Sequence, residues 1–173
     1  MMRKWLIALS TLLILGVVNS GIWSSEKLLQ DGEPVLLELA PLDPRSLMQG
    51  DYMALRFAMT DAIKAHHDTT TPLSNGMAIV ELDAQRRASF VALDQQQPLA
   101  NNQLRLQFRL RQGQVKFATN AFFFQEGTGD VYAQARYGLF RVNQQGQMLL
   151  THLVDAQLQP LGQAKQLQPN TQE

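Results

Sequence analysis

The chain has 173 residues and no cysteine. That absence excludes disulfides, thiolate nucleophiles and cysteine-held metals. It also has no excess of charge, because fifteen Lys and Arg offset fifteen Asp and Glu. No single-sign field exists to gather nucleic acid or an acidic substrate. Histidine is scarce: His66 and His67 are adjacent and His152 is far off in sequence. Adjacent side chains diverge on a helix or strand, so His66, His67 and Asp68 do not converge on one ion. No metal site is expected, and no cofactor motif is present. Long crossover helices are missing from the body as well, which argues against a parallel α/β sheet.

What is present begins at the N-terminus. Arg3 and Lys4 precede nineteen uncharged residues, Trp5 to Trp23. As a helix these reach about 28 Å, close to a hydrocarbon core of about 30 Å. Trp5 and Trp23 stand at the two ends, where aromatic belts lie. One reading is a cleaved secretory signal, with Val18-Asn19-Ser20 before Gly21 as the cleavage site. The other is an uncleaved signal anchor. The apolar pattern continues through Ile22, Trp23, Leu28 and Leu29, which favours the anchor. The charge before the span places the N-terminus in the cytoplasm and the body outside it. The division expected is an anchor and stalk over 1–30, a β-rich domain over 31–160 and a polar tail over 161–173.

In the body, Asp31-Gly32-Glu33-Pro34 punctuates the helix. Val35 to Ala40 reads as a strand with Val35, Leu37 and Leu39 on one face. Pro41 and Pro44 stop it. Met53, Leu55, Phe57 and Met59 alternate with small or charged residues, the period of a half-buried strand. Tyr52 falls on the opposite side. Thr60 to His66 reads as a short helix capped by Thr60 or Asp61. Asp68 to Gly76 is a loop. Met77–Leu82 and Ala88–Leu93 flank a polar hairpin turn, and Asp94–Asn102 is a loop. Leu104, Leu106, Phe108 and Leu110 mark the clearest strand, turned at Gln112-Gly113 into Val115–Thr119. In Ala121 to Gly127, AFFFQEG, three successive phenylalanines require cover on both faces. Val131 to Val142 opens as a helical turn around Tyr132 to Arg136 and ends as a strand. Gly146 sits at a left-handed hairpin position before Met148–Val154. The sum is about eight short strands, mostly β, in a small antiparallel sandwich or partly open barrel with one short helix.

The densest stretch is Pro41 to Met59. Within it, Gly50, Asp51, Tyr52 and Leu55 resemble the family named for its GDYXXLXY motif. Phe57 stands where the last tyrosine would be, so no role here depends on that hydroxyl. The preceding PLDPRSLMQ, then AFFFQEG, ARYGLFRV and the Gly146 hairpin, are similar to the family's other segments. The likeness covers roughly Glu26 to Leu161. It implies a membrane-anchored bacterial protein of the inner membrane, single-pass, often encoded beside polytopic membrane proteins. It brings no catalytic residues.

Candidate binding residues are Asp43, Arg45, Asp51, Tyr52, Glu126 and Arg136. The structural alternative has Asp43 capping a turn and Arg45 pairing with Asp51. Pro44, Gly50, Leu55, Phe57, Gly127, Tyr137 and Gly138 are read as structural. Glu126 is either an acid–base group in an apolar pocket or a turn residue facing water. Phe122 to Phe124 are either a docking patch or core. Ser46 with Lys64 is a weak hydrolytic dyad, since nothing places them together. Arg105, Arg109 and Arg111 share a strand face that meets lipid headgroups or, more simply, water. The function expected is a non-enzymatic interaction module for a polytopic membrane partner, with an exported hydrolase or small-ligand sensor as the rival.

Overall fold

The computed structural model describes residues 2–40, 52–66, 75–111, 113–119 and 121–162, with side chains in the first helix from Leu9 onward. Helix α1 spans Met2–Asp31. It ends at Gly32, whose N–H donates to the Leu28 carbonyl at 3.0 Å. Trp23, Leu28 and Leu29 belong to the same helix, as the unbroken apolar pattern predicts. Leu9, Leu12, Leu13, Ile14, Leu15, Val17 and Val18 are 54–71 % exposed. Among the described residues, no helix is long and apolar enough to cross a membrane. Trp5 to Ala8, which open the uncharged run, lie outside the described side chains.

The body is mostly β. Its elements in order are β1 (Glu33–Glu38), β2 (Tyr52–Ala54), α2 (Met59–Ala65), β3 (Gly76–Leu82), β4 (Ala88–Leu93), β5 (Gln103–Arg111), β6 (Gln114–Lys116), β7 (Ala121–Phe123), α3 (Gly129–Tyr132), β8 (Tyr137–Val142) and β9 (Met148–Val154). The strands pair as β1-β8-β9, β2-β7 and β4-β3-β5-β6. Every strand pair is antiparallel. Short seams join the sheets into a curled half-barrel. Leu39 bridges Phe57, and the Ala40 N–H donates to the Arg56 carbonyl at 2.8 Å. The Leu36 N–H donates to Arg86 at 2.9 Å, and Gln107 to Gly146 at 2.8 Å.

One core fills the curl. Val35, Leu37, Phe140 and Leu153 enter it from β1, β8 and β9; Val80 and Leu106 enter from β3 and β5; Ile63 enters from α2. Period two explains β5, where Leu106 and Phe108 are buried while Gln107 and Arg109 are exposed. It does not explain β1. Leu36 is buried as well as Val35 and Leu37, because its outer face meets the turn at Arg86 and Arg87.

Several expectations are corrected. The alternation from Met53 to Met59 buries all four apolar residues, but the strand stops at Ala54. Among the described residues its ladder to β7 has three pairs, from Tyr52↔Phe123 to Ala54↔Ala121. Met59 instead opens α2, whose N-cap is Ala58 with no side-chain bond; neither Thr60 nor Asp61 caps it. The helical turn falls at Gly129–Tyr132 rather than Tyr132–Arg136. Arg136 is held extended because its N–H donates to the Val154 carbonyl at 2.8 Å. Arg105 is not part of an open arginine row: its Nε donates to Asp94 at 2.9 Å and its Nη2 to the Gln97 carbonyl at 2.7 Å. Finally, the three phenylalanines are not all covered, since Phe123 is 74 % exposed.

Leu106→Ala removes a fully buried side chain from β5, so it is expected to cost about 2–5 kcal/mol. Val91→Ala on β4 removes an exposed one and should stay within about 0.5 kcal/mol. Denaturant unfolding of the full chain in mild detergent checks both.

Candidate functional site

Of the motif stretch, Tyr52 to Met59 are described. Leu55 and Phe57 are each 2 % exposed. The Phe57 ring meets Phe117 edge-on at 5.7 Å and Phe140 at 5.6 Å. Such edge-to-face pairs add about 0.5–1.5 kcal/mol beyond area burial. Gly138 leaves the room these rings need. A Cβ there would lie 3.0 Å from the Phe140 ring, 3.2 Å from Leu150 and 3.6 Å from Phe57. The motif's last aromatic thus packs in the layer that Gly138 keeps open, and both are core positions.

The neighbouring polar residues make local surface bonds. Arg136 pairs with Glu38 at 2.9 Å, both about half exposed, a pair of the kind worth about 0–1 kcal/mol. Arg87 Nε donates to Asp83 at 2.6 Å. Asp83 foremost, and Tyr137 after it, raise the guanidinium above its ordinary value. Asp83 accepts from the Arg87 N–H at 2.9 Å and the Gln85 N–H at 2.8 Å, which closes the β3–β4 turn. The Arg87 amide is the main cause that holds its carboxyl below the ordinary value; desolvation opposes it. Glu126 is exposed in a turn where Thr128 Oγ1 donates to the Gln125 carbonyl at 2.6 Å. Gly127 there has φ +79°, a left-handed conformation suited to glycine.

Tyr52 lies beside Phe123, with ring centroids 5.8 Å apart. Among the described residues, no hydrogen bond, ion pair or ring contact joins Tyr52, Glu126 and Arg136. Asp43, Pro44, Arg45, Ser46, Gly50 and Asp51 lie outside the described residues, as do His67 and Asp68. His66 makes a 3.0 Å bond between Nδ1 and the Ala62 carbonyl oxygen, and its ring packs edge-on to Phe90. Among the described residues, no group of His, Asp and Glu is placed to hold a metal ion.

The feature that sequence reasoning did not foresee is that one face of the phenylalanine run is left uncovered. Phe122 and Phe124 pack on Tyr132, at 5.0 Å and 5.3 Å, on the covered side. Phe123 turns outward beside the motif tyrosine. The period-two rule carries that signal, since the middle of three strand residues faces away from the other two. A groove of about 310 Å³ runs along this edge, between Phe122 and Phe123 on β7 and Met148 to Leu150 on β9.

An apolar helix joined to a mostly β body, with the motif's hydrophobic residues in the body's core, defines the class. The GDYXXLXY protein family model matches residues 14–153, from within α1 to β9, and the chain belongs to that family. No curated protein and no solved structure matches it.

Gly138→Ala is expected to cost about 1–3 kcal/mol by overpacking, read as a lower unfolding midpoint. Asp83 should add a pH-dependent component. Its contribution is whole above the unfolded value of about 3.9, shrinks as pH falls below it and disappears under the folded value. Unfolding midpoints taken between pH 7 and pH 3 should therefore fall less for Asp83→Asn than for the wild type.

Proposed function

We propose that this protein is a membrane-tethered, non-enzymatic interaction module of the bacterial inner membrane. In this reading α1 is an uncleaved single-pass anchor with its N-terminus in the cytoplasm. The body is a small, partly open antiparallel barrel on the other side of the bilayer. Its partner is a polytopic membrane protein, met by the surface around the motif segment and Tyr52.

The observation that carries the reading is α1 itself. Its apolar side chains from Leu9 to Val18 are uncovered all round the helix. Leaving such side chains in water forgoes about 1.5–3 kcal/mol each. A helix apolar on every side calls for lipid or protein cover. Together with Trp5 to Ala8 the uncharged run is nineteen residues, preceded by Arg3 and Lys4. At its other end Lys27 lies over the Trp23 ring at 5.6 Å, the pairing of cation and aromatic typical of an interface. The helix passes to β1 through the single residue Gly32. Arg141 of β8 donates to the Gly32 carbonyl at 3.0 Å and fixes the junction. That short connection would hold the body close to the bilayer, within reach of a polytopic neighbour.

The full chain is expected in the membrane pellet after alkaline extraction. Leu13→Arg with Val17→Arg should release it, since each arginine at a span centre costs about 2.5–3.5 kcal/mol. Affinity capture in mild detergent should bring down one polytopic protein with the wild type and much less with Tyr52→Ala. A wild-type chain extracted by alkali, or a Tyr52→Ala variant that captures as well as the wild type, would overturn the corresponding half of the reading.

A further inference from the structure

The last turns of α1 direct one face toward the body. Ser24, Lys27, Leu28 and Asp31 recur at the spacing that shares a helix face. With Leu104 of β5 and the β8–β9 turn they wall a cavity of about 540 Å³. The helix brings two charges of opposite sign to it, Lys27 and Asp31. Glu33, also on the wall, is already paired with Arg86.

Lys27 and Asp31 are not committed in that way. Both are exposed and one turn apart, yet among the described residues no ion pair joins them to each other or to another side chain. Lys27 rests instead over the Trp23 ring. Asp31 is the last residue of α1, and the last turn carries no basic residue. A carboxylate there meets the negative end of the helix dipole, where a cation is the favoured neighbour. The cavity thus presents one group for an anion and one for a cation, about 6 Å apart along the helix axis.

We propose that this cavity binds the headgroup of an ethanolamine-type phospholipid, with Lys27 and the Ser24 hydroxyl on the phosphate and Asp31 on the primary ammonium. The inference deepens the membrane-tethered reading and rests on it. The walls set the chemistry of the headgroup. A phosphate joined to an uncharged group would leave Asp31 without a cation. A quaternary ammonium supplies the charge but no N–H for the carboxylate to accept. A primary ammonium has three donors, enough for Asp31 and for an amide oxygen of the β8–β9 turn. The height fits as well. With Trp23 at the edge of the hydrocarbon core, Lys27 lies about 6 Å beyond it, within a headgroup layer of about 5–7 Å on each side. Soluble phosphoethanolamine carries the same two charges; the position of the cavity beside the anchor selects the lipid.

The test uses the full-length chain in mild detergent, offered ethanolamine, choline and glycerol phospholipids with identical acyl chains. Native mass spectrometry reads the lipid that stays bound. The ethanolamine lipid is expected to be retained about tenfold over the other two, the scale of one hydrogen bond to a charged group. Asp31→Asn and Lys27→Gln should each erase that preference, whereas Asp130→Asn, exposed on α3, should keep it. Equal retention of the three lipids overturns the proposal, as does a preference that survives both variants at unchanged unfolding midpoints. Soluble phosphoethanolamine retained as well as the lipid overturns the membrane source. Alkaline extraction reads the anchor separately. A chain that stays in the pellet but shows no lipid preference loses this site and keeps the tether; a chain that leaves the pellet loses the tether and this site with it.

Discussion

The fold depends on how the Phe57 ring is seated. Three parts of the body meet there: β1 through the Leu39 bridge, β8 through Phe140, and the segment after β6 through Phe117. Gly138 makes the seat possible, because any side chain at that point would press on Phe140 and Leu150. The motif thus acts first as a closure. Among the described residues it makes three ladder pairs to β7 and one bridge, Phe57 to Leu39, too few hydrogen bonds to hold a sheet by themselves. Buried apolar area does the holding: Met53, Leu55, Phe57 and Met59 are all in the core. This explains why phenylalanine serves at the motif's last position. The site rewards a ring that packs edge-on, and no hydroxyl is needed for that.

Much of this was readable from the residues. The long alternation in Leu104 to Leu110 and the turn residues Gly113 and Gly146 located β5, its return and the β8–β9 hairpin, and both glycines adopt positive φ. Helix α1 was legible because nothing polar enough to break it occurs before Gly32. What was not legible depends on partners distant in sequence. The alternation of Met53 to Met59 specifies which side chains are buried but not how long the ladder lasts, since that depends on a strand distant in sequence. The cap of α2 was misread because the helix opens at Met59, which puts Thr60 and Asp61 inside its first turn rather than before it. Arg105 looked like one of a solvated row because its acceptors, Asp94 and Gln97, lie in a loop whose path the sequence does not give.

The candidate site was legible in part. Tyr52 was placed correctly opposite the apolar face of its strand, and the structure adds the ring it meets, Phe123. Glu126 lies exposed in a turn, and Arg136 forms an exposed ion pair with Glu38. Among the described residues, neither enters a shared constellation with Tyr52. The strand edges were not visible at all, because an edge is a property of sheet order and not of any residue.

In the reading proposed above, tether and body make physical sense together. Phe123 stands 74 % exposed beside Tyr52 on a short strand, and such a strand is a liability in free solution, where another edge can pair with it. An anchor would change that balance. It would confine the body to the bilayer surface and raise the effective concentration of a membrane partner over that of soluble competitors. The passage from α1 to β1 through the single residue Gly32, with Arg141 bonded to the Gly32 carbonyl, would then limit how far that surface can tilt away from the bilayer.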